Sequence, residues 1–255
     1  TGQYILKRVG TNALANFIYN TKGVYANTAD VPVDPLTGLR YRARNADGSL
    51  GGVLNYFRAG DPRYTDVNGD YILDPYDLVN AGNSQIRFSG GVTLDFRYQG
   101  FTVQVQGTGI FGRDILNNAL ASQFQAFNNP LNLTGLVPIS EYDIWKNSGQ
   151  TATYPNPYDY LRSGIINPYR FAQTLFQEDG SYFKLNYISL NYTLNQKFTQ
   201  RYGMNRIVIG GTVNNVLMLS NYSGPNPETV SALGRDYSGG YPNPRTYILN
   251  LNIEF

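Results

Sequence analysis

Residues 88–112, FSGGVTLDFRYQGFTVQVQGTGIFG, alternate between apolar or small and polar side chains. Phe88, Gly90, Val92, Leu94, Phe96 and Tyr98 fall on one side, with Ser89, Gly91, Thr93, Asp95, Arg97 and Gln99 between them. Past Gly100 the apolar side continues as Phe101, Val103, Val105, Gly107, Gly109 and Phe111, and the polar side as Thr102, Gln104, Gln106 and Thr108. A period of two predicts two strands of about eleven residues, joined by a minimal turn at Gln99-Gly100. Ordinary strands run to about 5–6 residues, whereas crossing a bilayer at a tilt takes about 9–11. The length favours a membrane wall.

The same alternation returns in TYILNLNIEF, residues 246–255, where Tyr247, Leu249, Leu251, Ile253 and Phe255 share a side. Residues 182–194 alternate as Phe183, Leu185, Tyr187 and then change phase to Ile188, Leu190, Tyr192, Leu194, the signature of a β-bulge. Residues 206–217 and 14–26 are further strand candidates, and residues 3–8 read as the tail of an earlier strand. The expected connections, 27–87, 99–100, 113–181, 195–205 and 218–244, alternate long and short. All long loops then fall at one end of the strands. An outer-membrane barrel with short periplasmic turns and long extracellular loops has this asymmetry, and a soluble β-sandwich has no reason for it.

Composition narrows the chemistry. The chain has 255 residues, 22 of them Tyr, 13 Phe and 27 Gly, and only 15% are charged, against about 25% in an average soluble domain. Histidine and cysteine are absent, which removes Ser-His-Asp and Cys-His catalysis, disulfides and the usual transition-metal ligands. A net charge of +2 without a basic run argues against nucleic acid. No apolar run approaches the ~20 residues of a membrane helix, and TGQYILKRVG has no signal-peptide pattern. No carboxylate pair or phosphate loop stands out, so no catalytic residue is named and no enzyme is expected.

One stretch carries candidate metal chemistry. DVNGDYILDPYD, residues 66–77, places Asp66, Asn68, Asp70, Ile72 (through its carbonyl), Asp74 and Asp77 at the ligand positions of an EF-type loop. All the donors are oxygens, and their number favours Ca2+ over Mg2+. Tyr71 stands where such loops want glycine, and Pro75 stops a regular helix at the loop's end. The competing reading is a solvated turn held by Asx hydrogen bonds.

Several segments together resemble the C-terminal part of SusC/RagA-type TonB-dependent outer-membrane transporters of the Bacteroidota. They are GDPRYTDVNGDYILDPYD (60–77), GNSQIRFSGGVTLDFRYQ (82–99), DGSYFKLNYISLNY (179–192), NYSGPNPE (221–228) and DYSGGYPNPRTYILNLNIEF (236–255). The resemblance implies an all-β fold, namely the C-terminal strands of a large (~22-stranded) transmembrane β-barrel with long extracellular loops, not closed by itself. It implies a barrel that imports oligosaccharides or oligopeptides, a SusD-like surface lipoprotein as lid, and energy delivered through TonB. Nothing here resembles the plug domain or the TonB box, so the chain is expected to be one portion of a longer transporter.

Phe88, Val92, Leu94, Phe96, Val103, Val105, Leu249, Leu251 and Ile253 would then face outer-membrane lipid, and Asp95, Arg97, Gln104, Gln106, Asn250 and Asn252 the lumen and plug. Trp145, Tyr154, Tyr158, Tyr160, Tyr222 and Tyr237 on the long loops are candidates for substrate or lid contact, set against simple packing of the loops on one another. A passive or secretion-associated outer-membrane barrel, or a soluble glycan-binding β-sandwich or adhesin, is the alternative.

Overall fold

The computed structural model describes residues 8–127, 139–237 and 243–255. Six short strands come first: β1 (Ala15–Tyr19), β2 (Thr21–Val24), β3 (Arg42–Ala43), β4 (Pro62–Tyr64), β5 (Ile72–Leu73) and β6 (Leu78–Asn83). Two long strands follow, β7 (Phe88–Tyr98) and β8 (Phe101–Phe111), then β9 (Asp114–Asn117) and helix α1 (Asn118–Ala126). Helix α2 (Tyr160–Ser163), β10 (Gln177–Asp179), β11 (Tyr182–Thr193), helix α3 (Gln196–Gln200), β12 (Arg206–Ser220), β13 (Arg235–Asp236) and β14 (Thr246–Glu254) complete the chain. No helix among the described residues is long and apolar enough to cross a membrane.

Two compact units divide these elements. One comprises Gln85–Asp114, Asp179–Thr229 and Gly240–Phe255, and its centre is a five-stranded antiparallel sheet in the order β14-β12-β11-β8-β7. Gln99 (φ 45°) and Gly100 (φ 88°) close β7 onto β8. Both torsions lie in the left-handed region that a two-residue type I′ hairpin demands, which glycine tolerates best. The β11–β12 connection, residues 194–205, lies at the same end of the sheet, and the two long connections leave from the other end.

Register explains the phase change in β11. Leu185 pairs with Gly107 and Tyr187 with Gln106, so Asn186 is the extra residue of a bulge against β8. The change of face therefore falls one residue earlier than the sequence pattern suggests: Tyr187 lies on the polar side, where its hydroxyl donates to Gln104 Oε1 at 2.9 Å.

The other unit comprises Thr1–Ser84, Ile115–Glu178 and Val230–Gly239, and it is held by side chains more than by ladders. Its sheets have two or three short strands each: β1-β6, β2-β4, β3-β5 and β10-β9-β13. Residues 14–26 depart from the expectation of a wall strand, because they break at Asn20 into β1, paired with β6, and β2, paired with β4. The strand tail expected at 3–8 lies, but for Arg8, outside the described residues.

Segments of the long loops build two apolar clusters. The first gathers Tyr25, Val31, Tyr41, Ala43, Phe57, Tyr64, Leu73 and Ile166, with Phe57 stacked on Tyr41 at 4.7 Å between ring centroids. The second gathers Ala121, Phe124, Ile144, Tyr169 and Phe176.

Candidate functional site

The sheet presents two chemically different faces. Reading across from β7 to β14, one row is Tyr98, Phe101, Tyr192, Ile209, Leu251 and the next is Phe96, Val103, Leu190, Gly211, Leu249. These side chains have no cover: Phe96 is 58% exposed, Leu190 49%, Ile209 52% and Leu251 62%. Burying one such side chain is worth about 1.5–3 kcal/mol. A dozen left in water would rival the whole ~5–15 kcal/mol stability of a domain. That face needs an apolar medium or partner. Where β8 lacks side chains, at Gly107 and Gly109, the Phe183 ring lies over the gap, so close that a Cβ on Gly107 would sit 2.6 Å from it.

The opposite face is polar, mostly amides and hydroxyls with a few charges such as Arg97 and Asp95. Arg97, Thr102, Asn191, Gly210 and Asn250 form one row, and Asp95, Gln104, Ser189, Thr212 and Ile248 the next. Asn191 donates to Ser189 Oγ at 3.0 Å, and Thr212 donates to the same oxygen at 3.0 Å. Asn250 donates to Asn191 Oδ1 at 3.4 Å. Amides and hydroxyls are thereby fixed by one another across three strands.

In the 66–77 loop the candidate ligands are engaged with their own backbone. Asp66 accepts the N–H of Gly69 at 2.8 Å and of Tyr71 at 3.0 Å. Asn68 Oδ1 accepts from Asp70 N–H, and Asp70 Oδ1 from Ile72 N–H at 2.8 Å. Asp74 caps the turn over Pro75–Asp77 through Tyr76 N–H at 2.9 Å and pairs with Arg44 at 3.2 Å. Asp77, fully buried, accepts from Val67 and Asp74 N–H groups. Burial, reinforced by the charges of Asp66 and Asp70, pushes its carboxyl up to about 6.

Tyr71 takes the left-handed torsion (φ 58°) that glycine would supply at this position, and its ring packs on the first apolar cluster. Among the described residues no group of three or more acidic side chains converges to hold an ion. The oxygens match a hard cation by type and spacing, but in this arrangement they staple the loop through its own N–H groups.

The aromatic candidates have different fates. Tyr154 stacks on Phe124 at 5.2 Å and 19°, its pKa pushed up to about 12 by burial, so it belongs to the second cluster. Tyr222 is buried, with its ring over Gly224. Trp145 is half-buried, packed so closely on Gly60 that a Cβ there would lie 2.8 Å from the ring. Its Nε1 has no acceptor among the described residues. Tyr158 and Tyr237 are exposed, each 52%, and each meets a phenylalanine edge-on, Phe127 and Phe171 respectively. The Tyr160 side chain lies outside the described residues.

A residue that pattern reading missed orders these loops. Arg162 is buried and gives Nε to Asp61 Oδ1 at 2.8 Å and Nη2 to Asp61 Oδ2 at 2.5 Å, and it also donates to the carbonyls of Leu54 and Tyr56. Burial raises the Asp61 carboxyl, and the Arg162 guanidinium works against that rise. The only sequence signal available was an arginine in an aromatic, proline-rich stretch, which does not name its partner.

A long-stranded antiparallel sheet with one bare apolar face, one amide-lined face and all its long connections at one end is a segment of transmembrane β-barrel wall. No family model matches the chain. Its sequence is similar to the TonB-dependent receptors P39 and P26 of Formosa agariphila. P39 is 29% identical over 210 residues, 78% of this chain and 19% of the receptor, and P26 is 27% identical over 206 residues, 77% and 20%. The chain thus spans about a fifth of the length of these curated relatives. Its fold is similar to that in the structure of the RagAB peptide transporter, with a TM-score of 0.63 at 14% identity, covering 94% of this chain and 22% of that one. The closed-closed state of the RagAB peptide importer gives 0.56 at 17% identity, covering 94% and 23%. The chain is accordingly similar in sequence to TonB-dependent receptors, and it has the fold of part of the transporter barrel in the RagAB structures.

Proposed function

We propose that this chain supplies barrel wall and outer loops to an importer in the bacterial outer membrane, which takes up oligosaccharides or oligopeptides by TonB-coupled transport. The observation that carries the reading is the pairing of two faces on one sheet: an uncovered apolar face suited to lipid and a self-bonded amide and hydroxyl face suited to a watery lumen or a plug. The work of opening falls to a plug and to TonB, and a SusD-like surface lipoprotein is the proposed lid over loops that include Tyr158 and Tyr237. The RagAB proteins are described as peptide importers, so peptides are the first cargo to try.

Uptake of labelled oligopeptides and oligosaccharides, measured in cells carrying the full-length gene, tests the proposal. Uptake should vanish when that gene or TonB is deleted. Uptake that persists without TonB would leave a passive channel as the better reading.

A further inference from the structure

The polar face carries a cavity that the transport reading does not use. β12 runs on to Ser220, whereas β14 begins at Thr246 opposite Asn214, so among the described residues the end of β12 beyond Asn214 has no strand partner on that side. The incoming chain is tied into this notch by Asn215, which donates to the Pro244 carbonyl at 2.9 Å, and by Arg245, which donates to the Val216 carbonyl at 2.6 Å. Between them opens a cavity of 190 Å3, lined by Lys184, Asn215, Met218, Asn226, Asn243 and Arg245 among others. Lys184 and Met218 share a row with Thr108, which sets the cavity on the polar side of the sheet.

The charges there do not balance. Glu228 is the acid beside the cavity, and Lys184 pairs with it at 2.6 Å, helped by Asn243 at 2.9 Å and by the Tyr182 hydroxyl at 3.4 Å. Arg245 has no carboxylate within ion-pair distance among the described residues, and the Val216 carbonyl occupies one of its five N–H donors. Asn226 is buried, its Oδ1 bound by Glu228 N–H at 2.8 Å, while its Nδ2 has no acceptor among the described residues. Arg245 thus brings to the cavity lining a positive charge that no carboxylate among the described residues pairs. A guanidinium fork held by its edge offers two parallel N–H groups to a planar anion.

We propose that this cavity is a subsite for a carboxylate carried by the cargo, either the C-terminus of a peptide or the acid group of a uronate sugar. The proposal rests on the transport reading and deepens it, since it makes the importer prefer acidic cargo.

The test uses the full-length transporter and four probes: a peptide with a free C-terminal carboxylate, its C-terminal amide, an oligosaccharide bearing one uronate, and its neutral counterpart. In at least one pair the acid should bind about ten-fold tighter, the range of one charge-assisted contact. Arg245→Gln should bring that ratio close to one. Asn226→Asp, which puts a carboxylate beside the cavity, should do the same by repulsion. The pair that shows the preference identifies the source of the carboxylate. Cargo bound with no acid preference, or a preference that survives both substitutions, would overturn the subsite alone. If none of the four probes bound, the transport reading would fall with it.

Discussion

Arg162 and Asp61, 101 positions apart, meet as a buried two-point ion pair whose remaining guanidinium N–H groups reach the carbonyls of Leu54 and Tyr56. The pair ties residues 54–61 to the short helix at 160–163 through one planar group. Removing one partner of such a pair leaves the other charged and unpaired in the interior, at a cost of about 3–5 kcal/mol. Arg162→Met should therefore expose the outer loops to limited proteolysis and leave the five-stranded sheet assembled in the membrane. Unchanged protease resistance would show that the pair is dispensable.

Adjacent residues on β11 test the two faces of the sheet. Leu190 lies on the apolar side and Asn191 on the polar side. A charge facing the middle of the bilayer costs about 2–4 kcal/mol in a barrel, whereas substitutions facing the lumen are tolerated. Leu190→Arg should lower the amount of heat-modifiable barrel in outer-membrane fractions, and Asn191→Arg should not. The reverse order would exchange lipid and lumen.

Tyr71 separates strain from packing. Its left-handed backbone favours glycine, yet its ring packs on the first apolar cluster. Tyr71→Ala loses the ring and keeps the strain, while Tyr71→Gly loses the ring and relieves it. The glycine variant should be the more stable of the two by about 1 kcal/mol, and both should melt below the parent. An alanine variant that matched the glycine one in chemical denaturation would remove backbone strain from the account.

High pH should unfold the outer loops. Burial pushes Tyr64 and Tyr154 up to about 12 from 10.0, and raises Tyr25, Tyr41 and Tyr169 as well. A tyrosine whose folded pKa exceeds its unfolded value holds its proton more tightly when folded. Its contribution to stability is thus complete below pH 10 and is lost as pH climbs toward 12. Tyrosinate absorbance should rise cooperatively in that window, together with loss of near-ultraviolet circular dichroism. A gradual titration with the dichroism intact would contradict it.

Calcium at residues 66–77 is a separate proposal. Each carboxylate there keeps lone pairs beyond those given to backbone N–H groups, and an ion would need Asp66, Asn68 and Asp70 to turn toward one point. On that proposal, calcium should slow hydrogen exchange of the Gly69, Tyr71 and Ile72 amides in the full-length protein, and chelation should speed it without disturbing the sheet. Identical exchange in both conditions would leave the loop as a hydrogen-bonded staple alone.

The long strands are legible in the sequence because alternation writes both faces into every residue, and a misplaced phase shows as a bulge near Tyr187. The unit of short strands is not legible in the same way. Its strands have two to six residues, too short for a period to register, and its clusters join residues such as Tyr41 and Ile166 whose proximity no local pattern encodes. Aromatic abundance in those segments suits ligand contact and packing equally well. Packing claims Tyr154, and leaves Tyr158 and Tyr237 exposed. Arg162 and Asp61 were invisible for the same reason: a buried pair is a fact about two distant places at once.

Ile166 and Arg162 come from the connection after β8, and everything they grip in the first cluster and at Asp61 comes from the chain before β7. Recombination that swapped residues 112–181 alone between two related genes would strand an isoleucine without its pocket and an arginine without its acid. The two segments should therefore pass between related genes as one cassette, inherited together or not at all.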